Sequence, residues 1–204
     1  MSENEKILLE KAKNGDLKAF ELLIEGYQKK VYNIALRMIG NHDDANELAQ
    51  EVFIRILKSI KNFKEESTFS TWVYRITTNI CLDELRKRKN RKTVSIDEEM
   101  KLEDGEVARQ IEDIKPLPDI IAERNELKKI VTEAIQLLSE EHKLVIVMRD
   151  IQGFSYEEIA KVTKIPEGTV KSRINRARLA LKEILKSKRE LFSDEYVKQY
   201  GKEG

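Results

Sequence analysis

The stretch IQGFSYEEIAKVTKIPEGTVKSRINRARLALKEIL, residues 151–185, decides the fold. Ser155 followed three residues later by Glu158 is a capping box, so a helix starts there. Ile159 and Ala160 belong to its buried side. Thr163, Lys164 and Ile165 make a turn, and Pro166 suits the first position of a second helix, where a missing N–H costs nothing. In that second helix Val170, Ile174, Ala177 and Leu181 recur at helical spacing and face a core. Lys171, Ser172, Asn175, Arg176 and Leu179 then point the other way, with Arg173 and Arg178 on the flanks. Two helices around a tight turn, the second rich in cations, read as a helix-turn-helix with 168–182 as recognition helix.

Between Glu167 and Arg189 the cations are Lys171, Arg173, Arg176, Arg178, Lys182, Lys186, Lys188 and Arg189, opposed only by Glu167 and Glu183. A charge run alone is equally well a solvated helix face. The cap, the short turn and the proline-led second helix favour DNA, because Arg and Lys neutralise phosphates while Arg and Asn read base edges in the major groove.

Outward from this stretch, the 204-residue chain has room for one or two domains. Gly and Pro are scarce and the apolar residues fall at helical spacing, so the fold class is all-α. The formal net charge is only +1, so local clusters rather than a global field must attract nucleic acid. Cys81 is the single cysteine, which excludes an internal disulfide and fits a reducing cytoplasm. No apolar run reaches membrane-spanning length, and MSENEKILLEKA is not a signal peptide. His42 and His142 lack metal-ligand spacing. With no phosphate-binding glycine loop and no Ser/His/Asp arrangement either, no catalytic residue, cofactor, metal or small-molecule substrate is expected.

Towards the N-terminus, residues 3–13 read as a short amphipathic helix stopped by Asn14-Gly15. Asp16 caps a long helix with the stripe Phe20, Leu23, Tyr27, Val31, Ile34 and Met38, closed by Gly40. The next helix opens on Asp43 and Asp44, which suit its positive end. Ala45, Leu48, Ala49, Val52, Ile56 and Ile60 turn inward, leaving Glu47, Gln50, Glu51, Arg55 and Lys58 outside. A polar loop, KNFKEESTFS, separates it from a helix that buries Val73, Ile76, Thr77 and Ile80. Arg75, Thr78, Asn79, Leu82 and Arg86 share the opposite face, and a run of cations from Arg86 to Lys92 suits the helix C-terminus.

Composition then reverses. Residues 97–119 are acidic and hold Gly105, Pro116 and Pro118, which reads as an acidic flexible linker. The expected organisation is two small helical domains, 1–92 and 122–192, joined by the linker 93–121, with the helix-turn-helix in the second and a tail at 193–204. Asp119 caps the first helix of the second domain, with the stripe Leu127, Val131, Ala134 and Leu138. Ser139 starts the following one, with Leu144, Val145, Val147 and Met148, closed by Gly153.

Three motifs in this order and spacing, ANELAQEVFIRIL (45–57), FSTWVYRITTNICLDELR (69–86) and FSYEEIAKVTKIPEGTVKSRINRAR (154–178), give the chain a family resemblance. Over about residues 10–188 it resembles the extracytoplasmic-function (ECF) group of bacterial sigma-70 factors. The resemblance implies that 10–92 bind the clamp of core RNA polymerase and the minus-ten element, and 122–188 the minus-thirty-five element and the polymerase flap. Glu47, Gln50 and Glu51, with Phe53, match positions that meet the clamp. Asn62, Phe63, Lys64 and Phe69 match the loop that takes a flipped base, which needs apolar walls and polar edges; Phe69 also suits a core position. Arg75, Asn79 and Arg86 match the minus-ten helix, and Trp72, beside the buried stripe, is read as structural. Ser155, Thr169, Lys171, Ser172, Asn175 and Arg176 match the minus-thirty-five readers, with Arg173 and Arg178 holding phosphates or packing their stems.

The resemblance further implies double-stranded and melted promoter DNA as partners, a cytoplasmic location and a chain that is monomeric when free. It also implies control by an anti-sigma factor, often membrane-anchored in this family. Two alternatives stay open. A dimeric transcriptional activator would explain 122–188 equally well and 41–92 poorly. A nuclease using Asp43, Asp44 and Glu47 has little support, since these residues suit a helix N-terminus.

Overall fold

The computed structural model describes residues 3–94 and 129–200, with side chains through 91 and 188, and among the described residues no strand occurs. The N-terminal half holds α1 (Glu3–Lys13), α2 (Leu17–Ile39), α3 (His42–Ser59), a 3-10 turn (Ile60–Asn62) and α4 (Phe69–Val94). The C-terminal half holds α5, helical over 129–136, then α6 (Glu140–Ile146), a π-helical turn (Val147–Ile151), α7 (Tyr156–Thr163) and α8 (Glu167–Tyr200). The acidic stretch, the Asp119 cap and Leu127 lie outside the described residues.

Local chemistry sets the helix boundaries. Asp16 accepts from the Ala19 N–H at 3.0 Å, and Asn41 Oδ1 accepts from the Asp43 and Asp44 N–H groups at 2.8 and 3.1 Å, satisfying donors that a helix start leaves orphaned. Gly40 ends α2 at φ 85°, the left-handed conformation that suits glycine. Helix α8 runs well past the expected end of the recognition helix and through most of the expected tail, because no glycine or proline lies between Gly168 and Gly201.

Stripe residues from both halves meet in one apolar core. Leu23, Val31, Ile34, Met38, Val52, Ile56 and Val73 fill it from one side, and Ile135, Ile146, Met148, Ile159 and Ile174 from the other. Two expected core positions differ. Val131 is exposed while Ile135 is buried, so α5 is rotated from the expected stripe, and Val162 packs inward more fully than Ala160 on α7. Thr163 closes α7, leaving Lys164 to make the turn at φ 58°. Among the described residues no helix is long and apolar enough to cross a membrane.

One charged group is enclosed. Lys143 is 4% exposed and donates to Gln136 Oε1 at 2.8 Å. Burial pushes its ammonium down to about 8, and Glu140 opposes that shift. An unfolded lysine titrates near 10.4, so between these two values the unfolded chain holds the extra proton and folding gains stability as pH rises. Urea midpoints of the wild type should climb across this window relative to those of Lys143→Met. Parallel pH profiles for the two proteins would show that this amine contributes nothing to the slope.

Candidate functional site

The first candidate surface is the outer face of α3. The inward stripe Ala45, Leu48, Val52 and Ile56 is fully packed, which forces Glu47, Gln50 and Glu51 to the surface. Glu51 is steadied by Arg55 at 2.7 Å, one turn on. The same side of the helix carries Ile54 and Leu57, 51% and 39% exposed. The sequence reading missed both, although neither falls on the inward stripe. Phe53 is half-buried and packs against the core, so only part of its ring is offered. A face holding carboxylates, an amide and two bare aliphatic side chains has the make-up of a protein-binding patch with an apolar centre. Asp44 is engaged elsewhere, pairing with Arg88 of α4 at 2.8 Å.

The second surface joins the loop to α4. Asn62 and Lys64 are exposed, but Phe63 and Phe69 are not: they are 7% and 1% exposed. Their rings pack on each other (centroids 5.8 Å), on Trp72 (5.0 and 5.7 Å), and, for Phe69, edge-on against Tyr27 (5.5 Å). Neither ring offers a free face here, which corrects the expectation of a base-stacking wall. Lys13 lies over Phe63 and pairs with Glu65, which takes a left-handed φ of 60° in the loop. Thr68 Oγ1 accepts from the Thr71 N–H and starts α4.

Along α4, Asn79 and Arg86 are exposed and Arg75 is half-buried. Thr78 is not on the open face as expected. It is 2% exposed and donates to the Arg75 carbonyl at 3.1 Å, one turn from Tyr74, which the C-terminal half covers. Arg86 meets Asp83 at 3.3 Å and, more distantly, Glu140 of α6 at 3.9 Å.

The third surface is the helix-turn-helix. Both arms of the capping box form: Ser155 Oγ accepts from the Glu158 N–H at 3.1 Å, and Glu158 accepts from the Ser155 N–H at 2.7 Å. The second bond holds the Glu158 carboxyl below its usual range. Val170, Ile174 and Ala177 are completely buried, so Thr169, Lys171, Asn175 and Arg176 project to the surface as expected, with Ser172 half-buried beside them. The flanking cations are committed within the domain. Arg178 grips Asp150 with two hydrogen bonds, which raise its already high pKa, and Arg173 meets Glu141 at 3.1 Å. This corrects the expectation of phosphate contacts for the pair, since each guanidinium already has a carboxylate partner. The exposed groups Ser155, Lys171, Asn175 and Arg176 remain available.

A sigma-70 region 2 profile matches residues 23–91 and a sigma-70 region 4 profile matches residues 128–181. The chain is a member of the sigma-70 family, in its ECF group. RNA polymerase sigma-H factor of Pseudomonas aeruginosa is 35% identical over 90% of this chain and 94% of its own length. ECF RNA polymerase sigma factor SigW of Bacillus subtilis is 36% identical over 87% and 95%, and sigma-E factor of Escherichia coli is 36% identical over 87% and 92%. In structure, the chain is similar to sigma factor RpoE of Bartonella quintana, solved with the anti-sigma factor NepR. The TM-score is 0.61 at 26% identity, covering 84% of this chain and 97% of that one. The fold is also that of CnrH, solved with the cytosolic domain of CnrY (TM-score 0.63, 24% identity, 91% and 99% covered). The match over 23–91 removes the dimeric-activator alternative, which accounted only for the C-terminal half. Sigma factors are DNA-binding regulators, and this one serves RNA polymerase at transcription initiation.

The placement of Phe63 yields a direct test. Phe63→Ala should lower global stability by about 3–5 kcal/mol, the usual range for removing a buried aromatic side chain, read from urea melts. A variant as stable as the wild type would place the ring outside the core.

Proposed function

We propose that the three surfaces divide the work of initiation. The α3 face, with Glu47, Gln50, Glu51, Ile54 and the edge of Phe53, docks on core RNA polymerase. Asn62, Lys64, Arg75, Asn79 and Arg86 attend the minus-ten element, mainly as melted single strand. Ser155, Thr169, Lys171, Ser172, Asn175 and Arg176 read the minus-thirty-five duplex. The observation that carries this reading is the α3 face: exposed carboxylates beside two bare aliphatic residues on a helix whose opposite side is fully packed.

The work is recruitment and melting, with no covalent step. Unstacking a base costs a few kcal/mol, and capture by amide and cationic side chains offsets it. With Phe63 and Phe69 in the core, the base edge falls to Asn62 and Asn79, and the exposed part of Trp72 is the nearest aromatic surface. The setting is the cytoplasm, with a free chain that is monomeric. The likeness to a sigma factor solved with its anti-sigma factor supports control by such a partner here.

The polymerase assignment has a sharp test. Glu47→Arg combined with Glu51→Arg should abolish capture of core polymerase, because it sets like charges against a basic partner surface, a penalty of several kcal/mol. Stability should change by no more than about 0.5 kcal/mol per site, since both side chains are exposed. Ile54→Ala should weaken capture at unchanged stability. A pull-down with core polymerase, beside circular dichroism melts, reads both effects; a folded double variant that is still captured would sink the assignment. For the recognition helix, Arg176→Ala should lower affinity for a promoter bearing its minus-thirty-five element by about 1–3 kcal/mol. Equal loss on random DNA would mark a phosphate contact instead.

A further inference from the structure

The C-terminal domain is docked on the N-terminal one through side chains to which no polymerase or promoter role has been given. Phe154, at the entrance to α7, sets its ring edge-on against Tyr74 of α4, centroids 5.0 Å apart. Lys30 of α2 places its ammonium 4.1 Å from the Phe154 centroid and 5.3 Å from that of Tyr74, so one cation serves both rings. Two turns further along α2, Arg37 donates to Thr132 Oγ1 at 2.9 Å, and the Arg37 carbonyl accepts from Gln136 Nε2 at 2.9 Å. Gln136 in turn accepts from buried Lys143. Its side chain lies so close to Gly40 that a Cβ there would come within 3.0 Å of it.

This docking is incompatible with reading both promoter elements at once. Positions minus thirty-five and minus ten are about 25 base pairs apart, roughly 85 Å of duplex at about 3.4 Å per pair. In the docked form α7, which packs on the recognition helix, is in direct contact with α4, which carries Arg75 and Asn79. The 34 residues from 95 to 128 reach at most about 110–120 Å when extended, enough to let the domains part.

We propose that these contacts are a self-latch: the free chain closes on itself without any inhibitor, and docking of core polymerase opens it. The proposal rests on the sigma-factor reading above. A closed majority lowers the apparent affinity for any partner that needs the open form in proportion to the open fraction. The same linkage means that such a partner drives opening.

Energy transfer between dyes at Lys18→Cys and Glu183→Cys, both exposed positions, reads the state of the latch in the full chain. Cys81 stays unlabelled, since it is buried and its thiol is pushed up to about 12. The wild type should show high transfer when free and low transfer once core polymerase is bound. Two independent variants should show low transfer without polymerase at unchanged helicity. Lys30→Glu removes the cation and sets a carboxylate towards Glu158, whose carboxyl senses Lys30. Arg37→Ala with Gln136→Ala removes the hydrogen-bonded arm. Both should bind core polymerase several-fold more tightly than the wild type. Low transfer in the free wild type, or transfer that stays high with polymerase saturated, overturns the latch. High transfer in a wild type that never binds polymerase overturns the functional reading and, with it, polymerase as the opener.

Discussion

A run of aromatic rings holds the two halves of this molecule in register. Phe63 packs on Trp72 and Phe69, Phe69 meets Tyr27 edge-on, Tyr27 meets Tyr74, and Tyr74 meets Phe154 across the domain junction. Edge-on and tilted pairs of this kind contribute about 0.5–1.5 kcal/mol each beyond the area they bury. The column explains several placements together. It fixes the angle at which α4 leaves the loop, ties the loop to the core at Phe63, and sets where the helix-turn-helix rests. Tyr27 also bonds its hydroxyl to Glu5, which fastens α1 to the column, and burial with that carboxylate lifts the phenol well above its ordinary pKa.

Charge is arranged in two tiers around this frame. Arg88, Arg173 and Arg178 each face a carboxylate of the protein itself, so their work is to hold helices in place. Lys171 and Arg176 project from a helix whose other side is wholly buried. A cation already matched to a carboxylate has little to gain from a phosphate, because the counterion it would release is a side chain that must then find another partner. The distinction turns a run of eight cations into a few usable ones, and it fits a chain of net charge +1 that depends on polymerase to bring it to DNA.

The helices were legible in the sequence wherever caps and stripes agreed. Asp16, Asn41 with its two aspartates, and the Ser155–Glu158 box all bond as such residues do at helix starts, and the outward positions of α3 and α8 follow from their inward stripes. What could not be read were the partners across sequence distance. Phe63 looks like a loop aromatic until Trp72 and Phe69 are seen to close around it. Thr78 shares a helical face with Asn79 by spacing, yet it is buried while its neighbour is open. Likewise Arg178 is one more cation in a run until a π-helical turn brings Asp150 opposite it. Periodicity reports which way a residue points within its own helix and is silent on what arrives from another.

The make-up of the domain junction also bears on whether it can open. Its contacts are one cation shared by two rings, two hydrogen bonds from α2 to α5, and the enclosed Lys143–Gln136 pair. Hydrogen bonds of this type add about 0.5–1.5 kcal/mol each in net terms, and an ammonium kept from water subtracts from the total. A junction built mainly of such groups tolerates separation better than one made of continuous apolar surface, because its polar members regain water when parted while the rings lose only their mutual packing. Gly40 shows the other side of the balance. Its missing side chain allows Gln136 to reach the Arg37 carbonyl, so the same glycine that ends α2 also admits the arm that closes the domains. A docking weak enough to be undone by a polymerase, yet specific enough to have one geometry, requires this mixture of a small aromatic contact and a few directional bonds.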